Sequence, residues 1–136
     1  MNFDTKIKVI LRNDLEPWQE LNVCAFLMSG IAATENIVGE PYEDGSGRKY
    51  LPMSQQPIMI LSATAEELST VLEKVNARDD VDASIYTHEL FETYNDEDNR
   101  AEVARHATED LDLVGIALYG KKNAVDRITK HLPMHA

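Results

Sequence analysis

The chain has 136 residues, of which 43% are hydrophobic, and this is enough for one folded domain with its own core. Its 24 acidic and 13 basic residues give a net charge of −11, which works against binding to DNA, RNA or an anionic membrane. The single cysteine, Cys24, excludes an intrachain disulfide and is typical of a reducing compartment. We therefore expect one acidic domain over residues 1–136.

The first half of the chain predicts a strand, a long helix, a hairpin and a second strand. Pro17 suits the first turn of the helix, and Asp44–Gly47 is a turn signal between the two arms of the hairpin. The predicted elements are the strand Lys6–Leu11, the helix Trp18–Ala33, the hairpin of Pro41–Tyr42 with Arg48–Leu51, and a central strand Ile58–Ser62. The predicted buried stripe of the helix comprises Trp18, Leu21, Cys24, Ala25, Met28, Ile31 and Ala32, widened by Val23, Phe26 and Leu27.

The second half alternates helices with strands. Thr64 and Glu67 have the spacing of a capping box at the start of a helix. The remaining predicted elements are that helix up to about Ala77, the strand Ala83–Thr87, a helix from Asn95 to about Ala107, the strand Leu111–Tyr119, and a last helix capped by Asn123. The third helix offers mainly alanines as its apolar face, so we expect it to pack weakly. The strand Leu111–Tyr119 is the most apolar and is expected at the centre of the sheet.

This order of elements indicates the fold class. Alternating strands and helices are typical of a sheet that is covered by helices. The sequence therefore predicts an α/β protein, a three-layer α/β/α sandwich over a four-stranded mixed sheet, with a small β-hairpin insertion.

The best general position for a ligand is the turn after the first strand, where Arg12, Asn13 and Asp14 lead into the first helix. Ligands of open α/β sheets bind at the carboxyl ends of strands. Asn99 and Arg100, in the third helix, are further candidates for ligand binding. The alternative is a structural turn, in which the Asp14 carboxylate caps the first helix.

A second group of ionisable residues follows the third strand of the predicted sheet. His88 and Glu89 lie there, and a histidine beside carboxylates can act as an acid or a base. Together with Asp14 they are the candidates for a catalytic set, and a solvated loop is the alternative interpretation. Pro133 interrupts the spacing of the two C-terminal histidines, and we expect no metal and no cofactor.

Several stretches, read together, resemble a known superfamily. KIKVILRNDLEP with NVCAFLMSGIAA is similar to the opening strand and helix of the peptidyl-tRNA hydrolase II superfamily, where Arg12, Asp14 and Leu15 match an Arg-x-Asp-Leu turn. The central stretch resembles a relative of that superfamily, the family called domain of unknown function two thousand. The matching positions are Gly39, Asp44, Gly47 and Pro57.

The resemblance implies the fold but not the hydrolase activity. The helix-opening lysine of the hydrolases falls near Gln19 to Leu21, and their glutamine and histidine fall near Ala25 and Met28. Their aspartate after the third strand falls near Thr87. The polar groups that would position a water molecule and an ester are therefore replaced, and a tRNA substrate is disfavoured.

We expect a non-hydrolase binding or regulatory module whose partner is a small ligand or a protein. A homodimer is one oligomeric state that we consider. The alternative is an enzyme of unknown reaction that uses a divergent polar set at the carboxyl edge of the sheet. The N-terminus has no signal peptide and no apolar run has the length of a membrane span, so a cytoplasmic location is expected.

Overall fold

The computed structural model describes residues 3–136, so the first two residues of the predicted domain lie outside the described residues. The strands are β1 (Thr5–Arg12), β2 (Tyr42–Glu43), β3 (Lys49–Tyr50), β4 (Ile58–Ala63), β5 (Val81–Thr87) and β6 (Leu113–Lys121). The helices are α1 (Pro17–Thr34), α2 (Ala65–Asn76), α3 (Asp96–Ala104) and α4 (Lys122–Ile128), with short 3-10 turns at His88–Glu92 and Thr108–Asp110.

Four strands form one mixed sheet, as predicted, and their order in the sheet is β4-β1-β6-β5. β1 is parallel to β4 and antiparallel to β6, which is also antiparallel to β5. The apolar β6 lies inside the sheet, which confirms the prediction for Leu111–Tyr119. The prediction that Ile58–Ser62 is central was wrong, because β4 lies at the edge of the sheet.

The outer edge of β4 is covered by the C-terminal residues of the chain. The Ser62 N–H donates to the Pro133 carbonyl, and the His135 N–H donates to the Ile60 carbonyl, each at 2.9 Å. The His135 ring also pairs with the Glu20 carboxylate of α1, and this contact raises the pKa of His135. These bonds satisfy backbone groups that an edge strand otherwise exposes, so the apolar sequence of β4 does not require a central position.

Two hydrophobic clusters lie on opposite faces of the sheet. Alternate residues of a strand point to opposite faces. In β1, Ile10 joins the cluster beneath α2 and α4, whereas Val9 and Leu11 join the cluster beneath α1. Helices therefore cover both faces of the sheet. No helix within residues 3–136 has the length and apolar character needed to cross a membrane.

Local sequence signals locate most helix starts and the hairpin. The predicted cap at Asn123 was wrong, because Asn123 lies inside α4 and the N-cap position is Lys121. Thr64 and Glu67 form the predicted capping box, and the Asn95 side chain accepts a hydrogen bond from the Asp98 N–H at 2.8 Å. α3 contributes no buried residue, as its alanine-rich face predicts. The hairpin of β2 and β3 also forms as predicted, and the Asp44 carboxylate accepts hydrogen bonds from the N–H groups of Ser46 and Arg48.

The prediction that α1 is largely buried was wrong. Only Val23, Leu27 and Ile31 are buried, whereas Trp18 is 59% and Leu21 is 74% exposed. This helix carries apolar side chains on most of its circumference, so the spacing of apolar residues alone does not show which face packs on the sheet.

Gly115, in the middle of β6, determines which face of α1 meets the sheet. A Cβ atom at this position would lie 2.6 Å from Val23 Cγ1 and 3.1 Å from Leu27 Cδ1. Real Cβ atoms essentially never approach another atom to 2.6 Å, and a contact of 3.1 Å is tighter than most. The missing side chain therefore lets Val23 and Leu27 rest directly on the strand.

We predict that Gly115→Ala lowers the free energy of unfolding by ~1–3 kcal/mol, because overpacking forces strain on a close-packed core. Urea denaturation measures this change. Gly45→Ala is the matched control, because a Cβ atom there meets nothing within 4 Å. An equal loss of stability in both variants would contradict the close contact as the cause.

Candidate functional site

Arg12 is held by carboxylates of its own chain at the end of β1. Its Nε donates to Asp14 Oδ1 at 2.6 Å, and its Nη1 donates to Asp112 Oδ1 at 2.9 Å. The same Nη1 also donates to the Leu113 carbonyl at 3.3 Å. Burial lowers the pKa of the guanidinium, but the two carboxylates outweigh burial, so the pKa of Arg12 is raised. Arg12 thus joins β1 to the segment before β6, and three acceptors already occupy it.

Asp14 does not cap α1, contrary to the structural alternative considered for this residue. The N-cap position is Glu16, whose backbone N–H donates to Gln19 Oε1 at 2.9 Å. The Asp14 carboxylate instead turns back to Arg12. Asn13 lies between them, exposed, and its N–H donates to the Ala63 carbonyl at the end of β4.

His88 and Glu89 follow β5 at the same end of the sheet, but their side chains turn to separate neighbours. The His88 N–H donates to the Asp112 carbonyl at 2.9 Å, and its ring packs edge-on against Phe91 with centroids 5.7 Å apart. Glu89 Oε1 lies 3.6 Å from His106 Nε2. The backbone carbonyl of Asp112 therefore binds His88, while its carboxylate binds Arg12. The side chains of the three catalytic candidates do not meet, because Asp14 contacts Arg12, His88 contacts Phe91 and Glu89 lies near His106.

The other two candidates, Asn99 and Arg100, line a groove between α1, β5 and α3. The cavity has a volume of about 540 Å³. Its apolar lining includes Phe26, Leu27, Ile85, Leu90, Val103 and Ala104. Its polar lining is Ser29, Ser84, Asp96, Asn99 and Arg100. Arg12, Asn13, Asp14, His88 and Glu89 do not line this groove.

Aromatic contacts fix the wall of the groove that α1 and β5 form. The Phe26 and Tyr86 rings meet edge-on with centroids 6.0 Å apart, and Tyr86 lies 5.1 Å from Phe91, which in turn contacts Trp18 at 5.5 Å. The Tyr86 hydroxyl donates to Asn22 Oδ1 at 3.2 Å. Aromatic pairs with such geometry add stability beyond their buried area, so this wall is preformed.

The polar groups of the groove differ in their freedom to bind a ligand. The Ser84 hydroxyl donates to the Leu27 carbonyl at 2.9 Å, and the Thr93 hydroxyl donates to the Asn99 side chain. Arg100 pairs with Asp96 one turn earlier on α3, and its side chain is 69% exposed. Exposed ion pairs of this kind contribute little stability. Arg100 can therefore turn towards a ligand at small cost, whereas Ser84 is committed to the fold.

Sequence reasoning named two residues of this groove but missed its walls. The signal was present in α1, where Phe26 lies outside the stripe of Val23, Leu27 and Ile31 that the sheet buries. A second signal was the apolar pair Val103–Ala104, which lies one turn after Asn99 and Arg100 on the same face of α3.

A pair of carboxyl groups that sequence reasoning also missed joins the end of α1 to β5. A hydrogen bond with the Asp82 carboxyl, followed by burial and the charge of Asp82, raises the pKa of Glu35 above its usual 4.5. Glu35 Oε1 is buried and has no hydrogen-bond donor among residues 3–136. The nearby Asp82 and burial therefore favour the protonated form of Glu35.

This pair makes stability depend on pH in a defined direction. Because the pKa of Glu35 is higher in the folded state, the folded chain takes up the proton first as the pH falls. The stabilisation that protonated Glu35 contributes is fully present below the pKa of Glu35 in the unfolded chain. It is lost as the pH rises through the higher pKa of Glu35 in the folded chain.

We predict that Glu35→Gln raises the melting temperature at pH 7, because an amide can donate to Asp82 without a proton from solvent. The advantage over wild type should shrink as the pH is lowered towards the usual pKa of a glutamate. Melting curves across this range measure it. Glu43→Gln, in the exposed hairpin, is the control for the change in net charge. A gain of equal size in both variants, constant with pH, would contradict the raised pKa of Glu35 as the cause.

Two comparisons with known proteins identify relatives of the chain. A solved structure of a protein of unknown function from Agrobacterium tumefaciens strain C58 is 45% identical and has a TM-score of 0.94. The match covers 99% of this chain and all of that chain. No curated protein matches. The model of the family described as protein of unknown function (DUF2000) matches residues 5–136, and the chain therefore belongs to this family.

Proposed function

We propose that the protein is a non-catalytic binding module that holds a small, largely apolar molecule in the groove between α1 and α3. The proposal includes a single cytoplasmic domain over residues 1–136 with the three-layer α/β/α architecture of the peptidyl-tRNA hydrolase II-like superfamily. The single observation that carries the proposal is the composition of the groove, which combines apolar walls with one exposed cation, Arg100.

The size and lining of the groove support this proposal. Small-molecule sites are concavities of roughly 300–1,000 Å³, mostly apolar, with a few polar groups that orient the ligand. The groove has a volume of about 540 Å³. Phe26 and Leu27 line one side, and Val103 and Ala104 line the other. Burial of an apolar ligand against these side chains supplies the affinity.

The charge at the groove favours a ligand with one acidic group. Among residues 3–136, the side chain of Arg100 binds only Asp96, which lies on the same helix and is 81% exposed at its side chain. A guanidinium presents a planar fork of donors that matches a carboxylate or a sulfonate. We therefore expect an amphipathic ligand, with its apolar part between the helices and its acidic group at Arg100.

The probe 1-anilinonaphthalene-8-sulfonate has this composition, because it joins apolar rings to one sulfonate. We predict saturable binding with a rise in fluorescence. Ala104→Trp should weaken binding by about tenfold or more, because an indole would fill the cavity. Arg100→Gln should weaken binding by about two- to fivefold, as expected for an exposed ion pair.

Ala101→Trp is the matched control, because Ala101 is exposed on α3 and does not line the groove. It should bind the probe as wild type does. The absence of saturable binding to wild type, or an equal loss in Ala101→Trp and Ala104→Trp, would overturn the proposal. Circular dichroism melts establish that each variant is folded.

The positions that correspond to the hydrolase residues support binding without hydrolysis. Gln19 accepts the Glu16 N–H in the cap of α1, and neither Ala25 nor Met28 carries an ionisable group. Thr87 is buried, with 2% of its surface exposed. These side chains supply no general base for the attack of water on an ester.

We predict that the purified protein does not hydrolyse peptidyl-tRNA. Release of N-blocked amino acid from a labelled substrate measures the activity, with an authentic peptidyl-tRNA hydrolase as the positive control. Turnover at a rate comparable to that enzyme would contradict the proposal and would favour the enzymatic alternative with Asp14, His88 and Glu89. The homodimer stays a prediction, which sedimentation equilibrium tests.

A further inference from the structure

A second cleft lies at the opposite end of the sheet from Arg12, where β1 and β5 begin and β6 ends. It has a volume of about 690 Å³. Its charged lining residues are Asp4, Arg78, Asp80, Lys121, Lys122 and Arg127. Four of the 13 basic residues of a chain with net charge −11 therefore meet in one cavity.

Three of these cations have no carboxylate partner. Lys121, Lys122 and Arg127 form no ion pair with any residue of the range 3–136. The carboxylate of Asp126, on the same helix as Lys122 and Arg127, binds Lys6 at 2.7 Å and Lys8 at 3.0 Å instead. Asp4 and Asp80 also line the cleft, so its four cations outnumber its two carboxylates. Because like charges in excess repel one another, an anion in the cleft relieves this repulsion.

The cleft is built by close contacts of the backbone. A Cβ atom on Gly120 would lie 2.6 Å from the Asp80 carbonyl oxygen and 2.9 Å from Val81 Cα, so only glycine lets the segment before β5 reach the end of β6. The Lys122 N–H donates to the Asp4 carbonyl at 2.9 Å. These contacts hold the lysines of β6 and α4 beside the segment that carries Arg78.

Arg78 is oriented within the cleft by Asp80. Its Nε and Nη2 donate to the two carboxylate oxygens of Asp80 at 2.8 and 3.0 Å. The remaining nitrogen, Nη1, makes no hydrogen bond to the described residues. A guanidinium that is fixed on one edge by a carboxylate presents its other edge to an incoming anion in a set direction.

We propose that this basic cleft binds the phosphate or pyrophosphate group of a soluble phosphorylated small molecule. Lysine and arginine are the usual phosphate-binding side chains, lysine as a point charge and arginine as a directional fork. The volume of the cleft exceeds that of a phosphate, and Phe3 lines it, so the rest of the molecule lies against an aromatic side chain. This site is independent of the groove between α1 and α3.

The test is calorimetric titration of the wild-type chain with inorganic pyrophosphate at about 150 mM salt, where unspecific surface attraction is screened. We expect saturable binding. The double variant Lys122→Gln/Arg127→Gln should weaken it about tenfold or more, because it removes two charged donors. Arg48→Gln/Lys49→Gln in the hairpin is the matched control, with the same change in net charge, and it should bind as wild type does.

Two results would overturn the proposal. One is the absence of saturable binding to wild type, and the other is an equal loss of affinity in both double variants. A phosphate carried by a lipid is tested by cosedimentation with vesicles that contain phosphatidic acid, and we expect none, because the net charge of −11 repels an anionic surface. Cosedimentation that is lost in Lys122→Gln/Arg127→Gln, without pyrophosphate binding, would overturn the assignment to a soluble ligand.

Discussion

The contact between α1 and β6 at Gly115 is the constraint on which the rest of the structure depends. Because β6 has no side chain there, Val23 and Leu27 settle directly on the strand. This contact fixes the rotation of α1 about its axis, and the rotation turns Phe26 outward, where it packs on Tyr86. The same glycine that allows a close core thus creates one wall of the groove, so the stability of the fold and the shape of the candidate site have one origin.

The two ends of the sheet use charge in opposite ways. At the carboxyl end of β1, the charge of Arg12 is balanced by Asp14 and Asp112, and Arg12 also donates to a carbonyl oxygen, so its charge serves to connect segments of the fold. At the other end, Lys122 and Arg127 form no ion pair with the residues that the structure describes. A cation that is already neutralised by its own chain contributes structure, whereas one without a partner can bind a ligand. The sequence around a basic residue does not show whether its charge is balanced or free to bind a ligand, because a partner such as Asp112 for Arg12 comes from a distant segment.

The parts of the fold that local signals control could be predicted from the sequence. The capping box at Thr64 and the helix start at Asn95 depend on neighbours within three residues, and both form as expected. The buried face of α1 and the edge position of β4 depend on contacts with Gly115 and with Pro133, which no local pattern contains. For the same reason, Asn99 and Arg100 could be named as candidates, while the groove that they line could not.

The acidic surface also bears on what the basic cleft can accept. A nucleic acid would extend its phosphates beyond the cleft and over a surface whose net charge is −11, so each further phosphate would be repelled. A small phosphorylated molecule places its charge only where Lys121, Lys122 and Arg127 converge. The basic cleft attracts an anion, while the acidic surface around it repels one, and this combination favours a compact ligand. The abundance of carboxylates on this chain is then a source of specificity, because it disfavours the polymers that an exposed basic patch would bind.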